Sequence, residues 1–367
     1  MRRFVAPPLA AALLALGGIT ACSAPAPGTR SGTANAAALG SLDVQRQMDA
    51  LYKAAQQGRQ TSVLVYGPSQ NFYTAAYAAF QKRYPAIRIV AQPLFGQQLT
   101  TRLSEEFASG KHSGSVQTNG GSGIDLSSKA GQCQAYRPFT AGALTGGQSG
   151  PGDAYHAYAR FAVGIEYNTD KLTKDQAPTG WRDLTAPKWK GRLVQNDPAV
   201  AGVTSLMISN LMTAGKLDRK WLAGLAANAP QTVGTAALAE QSLARGEREV
   251  MVANNSAVYT AARAKSLPVG LVFPTSEGAR FDTQYVCLLK EGPNPDASKL
   301  LINWLYTSEG QNVLAQAGLY GVAPGAPAPP GLPVMDALKG REIPEVPADQ
   351  QAGSLGKTLD LVRQIQP

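Results

Sequence analysis

Uncharged polar side chains follow several short apolar runs of this sequence, and their positions suggest a site for a small anionic molecule. An apolar run such as Val63–Tyr66 predicts a buried strand, and polar or glycine-containing turns lead from such runs into helices. Free N–H groups and the positive dipole end at a helix N-terminus favour an anion. Capping turns would give the same pattern, so both interpretations stay open. The candidate ligand-binding residues are Ser69, Gln70, Gly96, Gln97, Thr118, Asn119, Tyr167, Gly202, Val203, Thr204, Asn254, Asn255, Ser256 and Tyr259.

The motifs of covalent catalysis are incomplete. Ser354–Lys357 has the Ser-x-x-Lys spacing of acyl-serine enzymes, but it lies in the C-terminal tail without the Ser-Asp-Asn and Lys-Thr-Gly partners. Gly356–Thr358 is similar to the end of a phosphate-binding P-loop, yet Gln351 stands where the leading glycine is needed. The two histidines, His112 and His156, occur in no catalytic motif. We therefore assign no catalytic residue, and an exported enzyme is the least favoured functional interpretation.

The first 22 residues have the pattern of an export signal. Met1–Arg3 carries positive charge, and the apolar run Val5–Gly18 is too short to span a bilayer comfortably, so residues 1–21 are predicted to be a signal peptide. Ile19–Cys22 resembles the bacterial lipobox, in which the cysteine is diacylated and becomes the new N-terminus. The alternative is ordinary secretory cleavage near Ala21 with an unmodified Cys22.

The segment that follows is predicted to be a tether, which we place at residues 22–40. It is rich in Ala, Pro, Gly, Ser and Thr, a composition typical of flexible linkers. A lipidated cysteine on such a tether would hold a soluble domain on the extracytoplasmic face of the cell membrane. In that compartment disulfides persist, so Cys133 and Cys287 are predicted either to pair or to be two buried free thiols. Their spacing builds no zinc or haem motif, and no metal or cofactor is expected.

Length and composition limit the architecture. A chain of 367 residues exceeds the usual size of a single core, so two lobes are expected. The formal net charge of +9 is compatible with anionic partners or with a solvated basic surface. Nucleic-acid binding is disfavoured because no cluster of Lys and Arg is interleaved with aromatic residues.

Strand and helix patterns alternate over residues 63–130 and again over residues 192–272. This alternation predicts parallel sheets covered by helices, with ligands beyond the carboxyl ends of the strands. Phe161–Leu172 is predicted to be a single strand between the two sets, and Arg280–Lys290 a strand that returns to the first set.

The connection between the two sets predicts a hinged cleft. The chain is expected to cross from one lobe to the other near Tyr167 and to return near Tyr285. Two lobes joined by two strands suit closure around a solute. The candidate residues of both lobes would then face the same cleft near Tyr167.

Five motifs resemble one family. They are Leu51-x-x-Ala-x-x-x-Gly58, Val65-Tyr66-Gly67, Tyr167-Asn-Thr-Asp170, Pro187-Lys-Trp-Lys-Gly-Arg192, and Asn294-Pro-x-Ala with Glu309-Gly-Gln311. The order of these motifs over residues 45–340 resembles the type II periplasmic-binding-protein family of ABC importers, in its ferric-iron-binding and phosphonate-binding branch. The resemblance implies an α/β fold of two lobes, with two parallel-type sheets joined by two crossing strands. It divides the chain into lobe 1 (first part) at 41–160, lobe 2 at 161–279, and a return strand, the completion of lobe 1 and a C-terminal tail at 280–367.

The family's iron ligands are not reproduced. Iron-binding members have a histidine after the first strand, a glutamate after the third, and paired tyrosines after Asn-Asn in the second lobe. This chain has Gln70 at the first position, Asn119 or Gly120 near the second, and Ser256-Ala257 at the third. Ferric iron prefers anionic oxygen donors, and Tyr259 alone would supply one. The neutral set instead suits a phosphorylated, phosphonate or carboxylated solute, or an iron chelate held by its organic part.

The resemblance implies a membrane-tethered solute-binding protein that delivers a small solute to the permease of an ABC importer. It is expected to be a monomer, with no nucleic-acid partner and with membrane contact through the lipid anchor only. The alternatives are a ferric-ion-binding protein with atypical ligands, a solute-sensing lipoprotein and an exported enzyme.

Overall fold

The computed structural model describes residues 36–142, 144, 148–274, 276–338 and 341–365. Cys22 and the signal peptide lie outside the described residues. The first half of the structure contains α1 (Leu42–Gln57), β1 (Ser62–Gly67), α2 (Thr74–Arg83), β2 (Arg88–Pro93), α3 (Gly96–Ser109), β3 (Val116–Gly120), α4 (Gly121–Lys129), β4 (Cys133–Gln134) and β5 (His156–Asn168).

The second half begins with β6 (Leu193–Asn196), α5 (Val203–Thr213), α6 (Arg219–Ala227), β7 (Gln231–Val233), α7 (Ala236–Ala244), β8 (Val250–Asn255), α8 (Ser256–Ala264) and β9 (Val269–Val272). It ends with β10 (Arg280–Leu289), α9 (Pro295–Trp304), α10 (Ser308–Gln316), β11 (Tyr320–Gly321), α11 (Met335–Leu338) and α12 (Ala348–Ile365).

The described strands form a sheet in the order β2-β1-β3-β10-β5-β8-β6-β7. β1 is parallel to β2 and β3, and β6 is parallel to β7 and β8. Between these two parallel sets lie β10 and β5, which are antiparallel to each other and to their outer neighbours. The predicted fold class, two parallel sets joined by two crossing strands, is confirmed. We call the β1–β3 set with its helices lobe 1, the β6–β8 set with its helices lobe 2, and the β5–β10 pair the ribbon.

The crossing between the lobes lies earlier in the chain than the sequence predicted. β5 pairs with β10 as far as Val163, opposite Arg280, and the same Val163 pairs with Asn255 of β8. Tyr167 therefore lies inside lobe 2, and the prediction of a crossing there is wrong. Tyr285, which pairs with Asn119 of β3, is already inside lobe 1. The error arises because β5 is central and buried on both faces from His156 onward. Its apolar pattern therefore does not show where the chain passes from lobe 1 to lobe 2.

Each lobe has its own apolar core. Phe80 and Trp304 pack edge to face in lobe 1, and lobe 2 buries Trp181 and Trp189 completely. Leu39 also lies in the lobe 1 core. The end of the predicted 22–40 tether is therefore packed rather than free, because an apolar leucine there gains by burial. The predicted boundaries at 41–160, 161–279 and 280–367 stay a prediction.

Cys133 and Cys287 form a disulfide in the structure, with their Cα atoms 5.8 Å apart. Cys133 lies in β4, which pairs with β10 next to Cys287. The bond joins residues separated by 154 positions, and so it ties the return strand to the first part of lobe 1.

Within the residues that the structure describes, no helix has the length and apolar character needed to cross a membrane.

Candidate ligand-binding edge between the lobes

The carboxyl ends of the two parallel sets approach the middle of the ribbon from opposite directions. β3 runs antiparallel to β10, β10 runs antiparallel to β5, and β5 runs antiparallel to β8. β3 and β8 therefore run in opposite directions, each toward the middle of the ribbon. β3 ends at Gly120, opposite Gln284, while β8 ends at Asn255, opposite Val163. The strand ends of both lobes therefore meet the ribbon within a few residues of each other, where ligands of open α/β sheets bind. We call this region the interlobe edge.

Gln70 and Thr118 form an internal link at the lobe 1 side of this edge. The Gln70 amide donates to the Thr118 hydroxyl (2.8 Å), and the Tyr77 hydroxyl donates to the Gln70 carbonyl (2.7 Å). Gln70 and Thr118 are both only 4% exposed. Their polar groups are therefore already paired, and they hold the turn after β1 against β3. Ser69 stands beside them, half-buried, with a left-handed backbone (φ 58°) and no capping bond from its hydroxyl.

Asn119 and the start of α4 are the other lobe 1 groups at the edge. Asn119 is half-buried, and its side-chain oxygen Oδ1 accepts from the Gly120 N–H (2.9 Å). Among the described residues the Asn119 amide nitrogen has no hydrogen-bond partner. The next turn contains Gly121 and Ser122, and the Ser122 N–H donates to the side chain of Gln351 (3.1 Å). The N-terminus of α4 is thus partly occupied by a residue of α12.

Gly96 and Gln97 lie away from the ribbon. They begin α3 after β2, the strand farthest from the ribbon in lobe 1, and both are exposed. The Gln97 amide donates within its own helix to Thr101 (3.3 Å). The structure therefore does not bring this pair together with the other lobe 1 candidates.

The turn before α5 supplies the first lobe 2 group. Asn196 at the end of β6 accepts from both the N–H (3.1 Å) and the hydroxyl (2.7 Å) of Thr204. A side chain at Gly202 would collide with Asn196, since its Cβ would lie 2.5 Å from the Asn196 amide nitrogen. The Gly202 N–H donates to Ser205 (2.9 Å). Helix N-termini leave several N–H groups without helical partners. At the start of α5, side chains accept from the N–H groups of Gly202 and Thr204, and Val203, which is half-buried, lies between these two residues.

Asn254 is bound inside lobe 2 to two buried glutamates. Its amide donates to Glu166 and to Glu240 (2.7 Å), and all three residues are at most 5% exposed. Burial raises the pKa of Glu166 well above the usual carboxyl range, and the neighbouring Glu240 raises it further. Burial also raises the pKa of Glu240. Among the described residues, the Oε1 atom of each carboxyl group is buried without a hydrogen-bond partner, and we infer that the pair shares a proton.

Sequence reasoning did not find Glu166 and Glu240. The signal that was present is a glutamate at position 166 inside the buried run of β5, because a charged residue in such a strand requires a partner. Asn254, assigned to the ligand, is instead that partner.

Asn255 and Ser256 are also used by the scaffold. The Asn255 side chain caps α8 by accepting from the N–H groups of Ala257 (3.1 Å) and Val258 (3.0 Å). The buried Ser256 hydroxyl accepts from Ala162 N–H (3.1 Å) and donates to Gly318 (2.5 Å). Asn255 therefore contributes to folding, because its oxygen satisfies a helix end, and its contact with a ligand stays a prediction.

The two candidate tyrosines lie in lobe 2. Tyr167 packs in the lobe 2 core, and Tyr259 is half-buried on α8. Burial raises the pKa of both phenols. Asp175 raises the pKa of Tyr167 further, whereas Arg263 offsets part of the rise in the pKa of Tyr259. In the described part of the chain, no group of three or more His, Cys, Asp or Glu side chains is arranged to hold a metal ion.

Comparison with known sequences gives one family and partial relatives. Residues 138–339 match the family described as bacterial extracellular solute-binding protein. A protein of Haemophilus influenzae described as uncharacterized is 30% identical over 161 residues, 42% of this chain and 46% of that protein. Iron uptake protein A1 of Synechocystis is 27% identical over 191 residues, 48% of this chain and 52% of that protein. The chain spans about half the length of these curated relatives.

Solved structures with the same fold carry different ligands. Iron-bound HitA from Pseudomonas aeruginosa matches with a TM-score of 0.70 and 20% identity, covering 84% of this chain and 100% of that one. AfuA from Actinobacillus pleuropneumoniae, with fructose-6-phosphate bound, gives 0.68 and 20%, covering 82% and 98%. A substrate-binding protein of an ABC transporter from Agrobacterium tumefaciens gives 0.71 and 17%, covering 84% and 94%. At these identities the likeness shows the fold and leaves the ligand to be argued from the site.

Proposed function

Because this chain belongs to the bacterial extracellular solute-binding protein family, we propose that it binds a small organic anion and delivers it to the permease of an ABC importer. The anion class is a phosphorylated, phosphonate or carboxylated compound, or an iron chelate held by its organic part. The observation that carries the proposal is the meeting of two opposed strand ends at the ribbon, β3 and β8, which are followed by the N-termini of α4 and α8. Helix N-termini favour anions through their N–H groups and dipole.

The residues proposed to contact the solute are those at the interlobe edge whose polar groups can still form a hydrogen bond. Ser69 and Asn119 belong to this group in lobe 1, and the backbone around Val203 belongs to it in lobe 2. Gln70, Thr118, Asn254 and Ser256 would act behind them, by fixing the turns. Asn255 is assigned to the same scaffold role because its oxygen caps α8, although its amide nitrogen has no partner among the described residues.

Free ferric iron fits the site poorly. The positions at which the iron-binding members carry histidine and tyrosine hold Gln70 and Ser256, and both side chains are already bonded within the protein. The raised pKa values of Tyr167 and Tyr259 disfavour the phenolate forms that would bind the metal. HitA is described as iron-bound and AfuA as holding a sugar phosphate, so neighbours of this fold differ in the solute that they carry.

We also propose that the protein is held at the membrane by lipidation of Cys22. Cys22→Ala should remove the attachment site and release the protein from the membrane fraction. Lipid-specific metabolic labelling of the wild type and the variant checks this, with Ser31→Ala as a control that keeps Cys22 and the disulfide. Retention of the Cys22 variant in the membrane fraction would contradict the anchor.

The proposed binding is tested by native mass spectrometry of the chain purified without refolding, followed by a thermal-shift screen of organic anions and ferric chelates. A ligand at a hundredfold its dissociation constant should stabilise the fold by about 2.7 kcal/mol. The bound compound should be released unchanged, whereas an enzyme would convert it. Absence of any stabilising anion, together with a saturable response to free ferric ion, would overturn the proposal.

A further inference from the structure

The C-terminal segment lies across both lobes at the ribbon. After α11, residues 341–343 pair with the start of β10, where the Ala279 N–H donates to Arg341 (2.7 Å) and the Ile343 N–H donates back to Ala279 (2.9 Å). Farther along β10, the Thr283 N–H donates to the Glu345 carboxyl group (2.7 Å). β3 ends opposite Gln284, so this segment, 341–347, follows β10 beyond the end of β3. We call it the strap.

The strap and the distal half of α12 are fixed to lobe 2. The Val346 N–H donates to Asn210 of α5 (3.2 Å). Val362 of α12 is fully buried in the lobe 2 core, and Arg363 donates to the Ala199 carbonyl before α5 (3.2 Å). Any movement of lobe 2 therefore carries α12 with it.

α12 also packs against α4 of lobe 1, and in its first turn the Gln351 side chain reaches the N-terminus of α4. The Gln351 carbonyl accepts from the Ser122 N–H at the start of α4 (3.1 Å), and its amide donates to Val346 of the strap (3.0 Å). Gly121 permits this approach, since a Cβ there would lie 2.8 Å from the Gln351 amide nitrogen. The side chain thus bridges the strap and the N-terminus of α4.

A cavity of about 670 Å³ lies between the strap, α4 and the ribbon. Its lining includes Lys129 of α4, Arg160 of β5, and Glu345 and Asp349 from the C-terminal segment. Because open space separates the strap from α4 here, the Gln351 bridge can break without disturbing an apolar core.

We propose that the strap and α12 form a clasp between the lobes, in which Gln351 occupies the N-terminus of α4 in competition with an anionic group. The competition rests on the proposed function, because the N-terminus of α4 belongs to the proposed solute edge. When the lobes separate by hinge motion, α12 moves with lobe 2 and Ser122 moves with lobe 1, so the bond between them must break. The clasp thereby favours the engaged arrangement when no solute is bound.

Hydrogen exchange at the Ser122 amide tests the clasp without any solute. Gln351→Ala should accelerate exchange there about fivefold, the ratio that corresponds to one hydrogen bond of ordinary net strength. The matched control is Gln350→Ala, which removes an exposed glutamine from the same turn and should leave the exchange unchanged. Gln351→Glu keeps an acceptor and should restore protection, while Gly121→Ala should accelerate exchange with Gln351 still present.

Inorganic phosphate tests the competition. The Ser122 amide resonance of Gln351→Ala should shift at a phosphate concentration about fivefold lower than that required by the wild type. Unchanged exchange in Gln351→Ala would overturn the clasp, and equal phosphate responses, or no response in either protein, would overturn the competition. The exchange arm needs no ligand, so its failure is distinguishable from failure of the solute screen.

Discussion

The second-to-last residue of the strand beside the ribbon is an asparagine in each lobe, Asn119 in β3 and Asn254 in β8, and the two are bonded differently. In lobe 1, Ser69 and Asn119 are half-buried and keep unused hydrogen-bonding capacity at the interlobe edge. In lobe 2, Asn254 and Ser256 are buried and bonded to glutamates or to backbone. A polar residue after a strand therefore does not by itself mark a ligand contact. We infer that discrimination between solutes depends mainly on lobe 1 side chains and on lobe 2 backbone.

The lobes also differ in how they are held together. Lobe 1 is crosslinked by the Cys133–Cys287 disulfide, whereas lobe 2 buries the Glu166–Asn254–Glu240 group. A crosslink acts largely by restricting the unfolded chain, while a buried polar group stabilises only when it is fully paired. The following changes separate these two contributions.

The largest expected effect comes from removing the disulfide. Cys133→Ala combined with Cys287→Ala should lower the free energy of unfolding by about 4 kcal/mol, because the bond closes a loop between residues 154 positions apart. Denaturant unfolding measures the loss, and mild reduction of the wild type should reproduce it. A reduced wild type as stable as the oxidised protein would show that the bond is dispensable.

Removing the amide of Asn254 should be the next largest effect. Asn254→Ala leaves two buried carboxyl groups without their shared donor and should cost about 2 to 3 kcal/mol. The matched change in lobe 1, Asn119→Ala, should cost less than about 0.5 kcal/mol, since that residue is half-buried and its oxygen accepts only from the adjacent Gly120 N–H. Equal losses in the two variants, measured by the same unfolding experiment, would remove the contrast between the lobes.

Asn255→Ala should have a smaller effect, on stability rather than on binding. The change removes the cap of α8 and should cost about 1 kcal/mol. Asn255→Asp keeps an acceptor at the cap and should retain most of the stability. If Asn255→Ala weakened solute binding while the melting temperature stayed the same, the assignment of this side chain to the cap would be wrong.

The carboxyl pair should also give lobe 2 a pH dependence. The pKa of Glu166 is raised in the folded state, so the folded chain holds a proton that the unfolded chain releases above its ordinary value of 4.5. Stability should therefore decrease as the pH rises from about 4.5 through the raised folded pKa. Glu166→Gln should flatten this part of the curve, and the same slope in wild type and variant would contradict the shared proton.

The fold could be predicted because local patterns determine most of it. The Tyr-Asn-Thr-Asp motif is explained by Asn168, whose side chain donates to Leu243 (2.7 Å) and accepts from the Asp170 N–H (2.8 Å) to close the end of β5. The Lys-Trp-Lys-Gly-Arg motif buries Trp189 beneath Lys188 and Arg192. Both motifs stabilise turns of the scaffold, which is why they indicate the fold and not the solute.

The site could be predicted only in part, because its polar partners are distant in sequence. Glu166 and Asn254 are 88 positions apart, and Ser122 and Gln351 are 229 positions apart. No local periodicity reports such pairs. The sequence therefore indicated the turns after β1, β3, β6 and β8, but it wrongly grouped the Gly96–Gln97 turn with them, and it could not tell which side chains are bonded within the scaffold.

The most direct test of the account is calorimetric titration of the solute identified by native mass spectrometry. The titration compares the wild type with Ser69→Ala/Asn119→Ala. The account predicts at least about tenfold weaker binding in the double variant, equivalent to about 1.4 kcal/mol, with an unchanged melting temperature of the free protein. Equal affinity in the two proteins would contradict it and would place the solute away from the lobe 1 side of the interlobe edge.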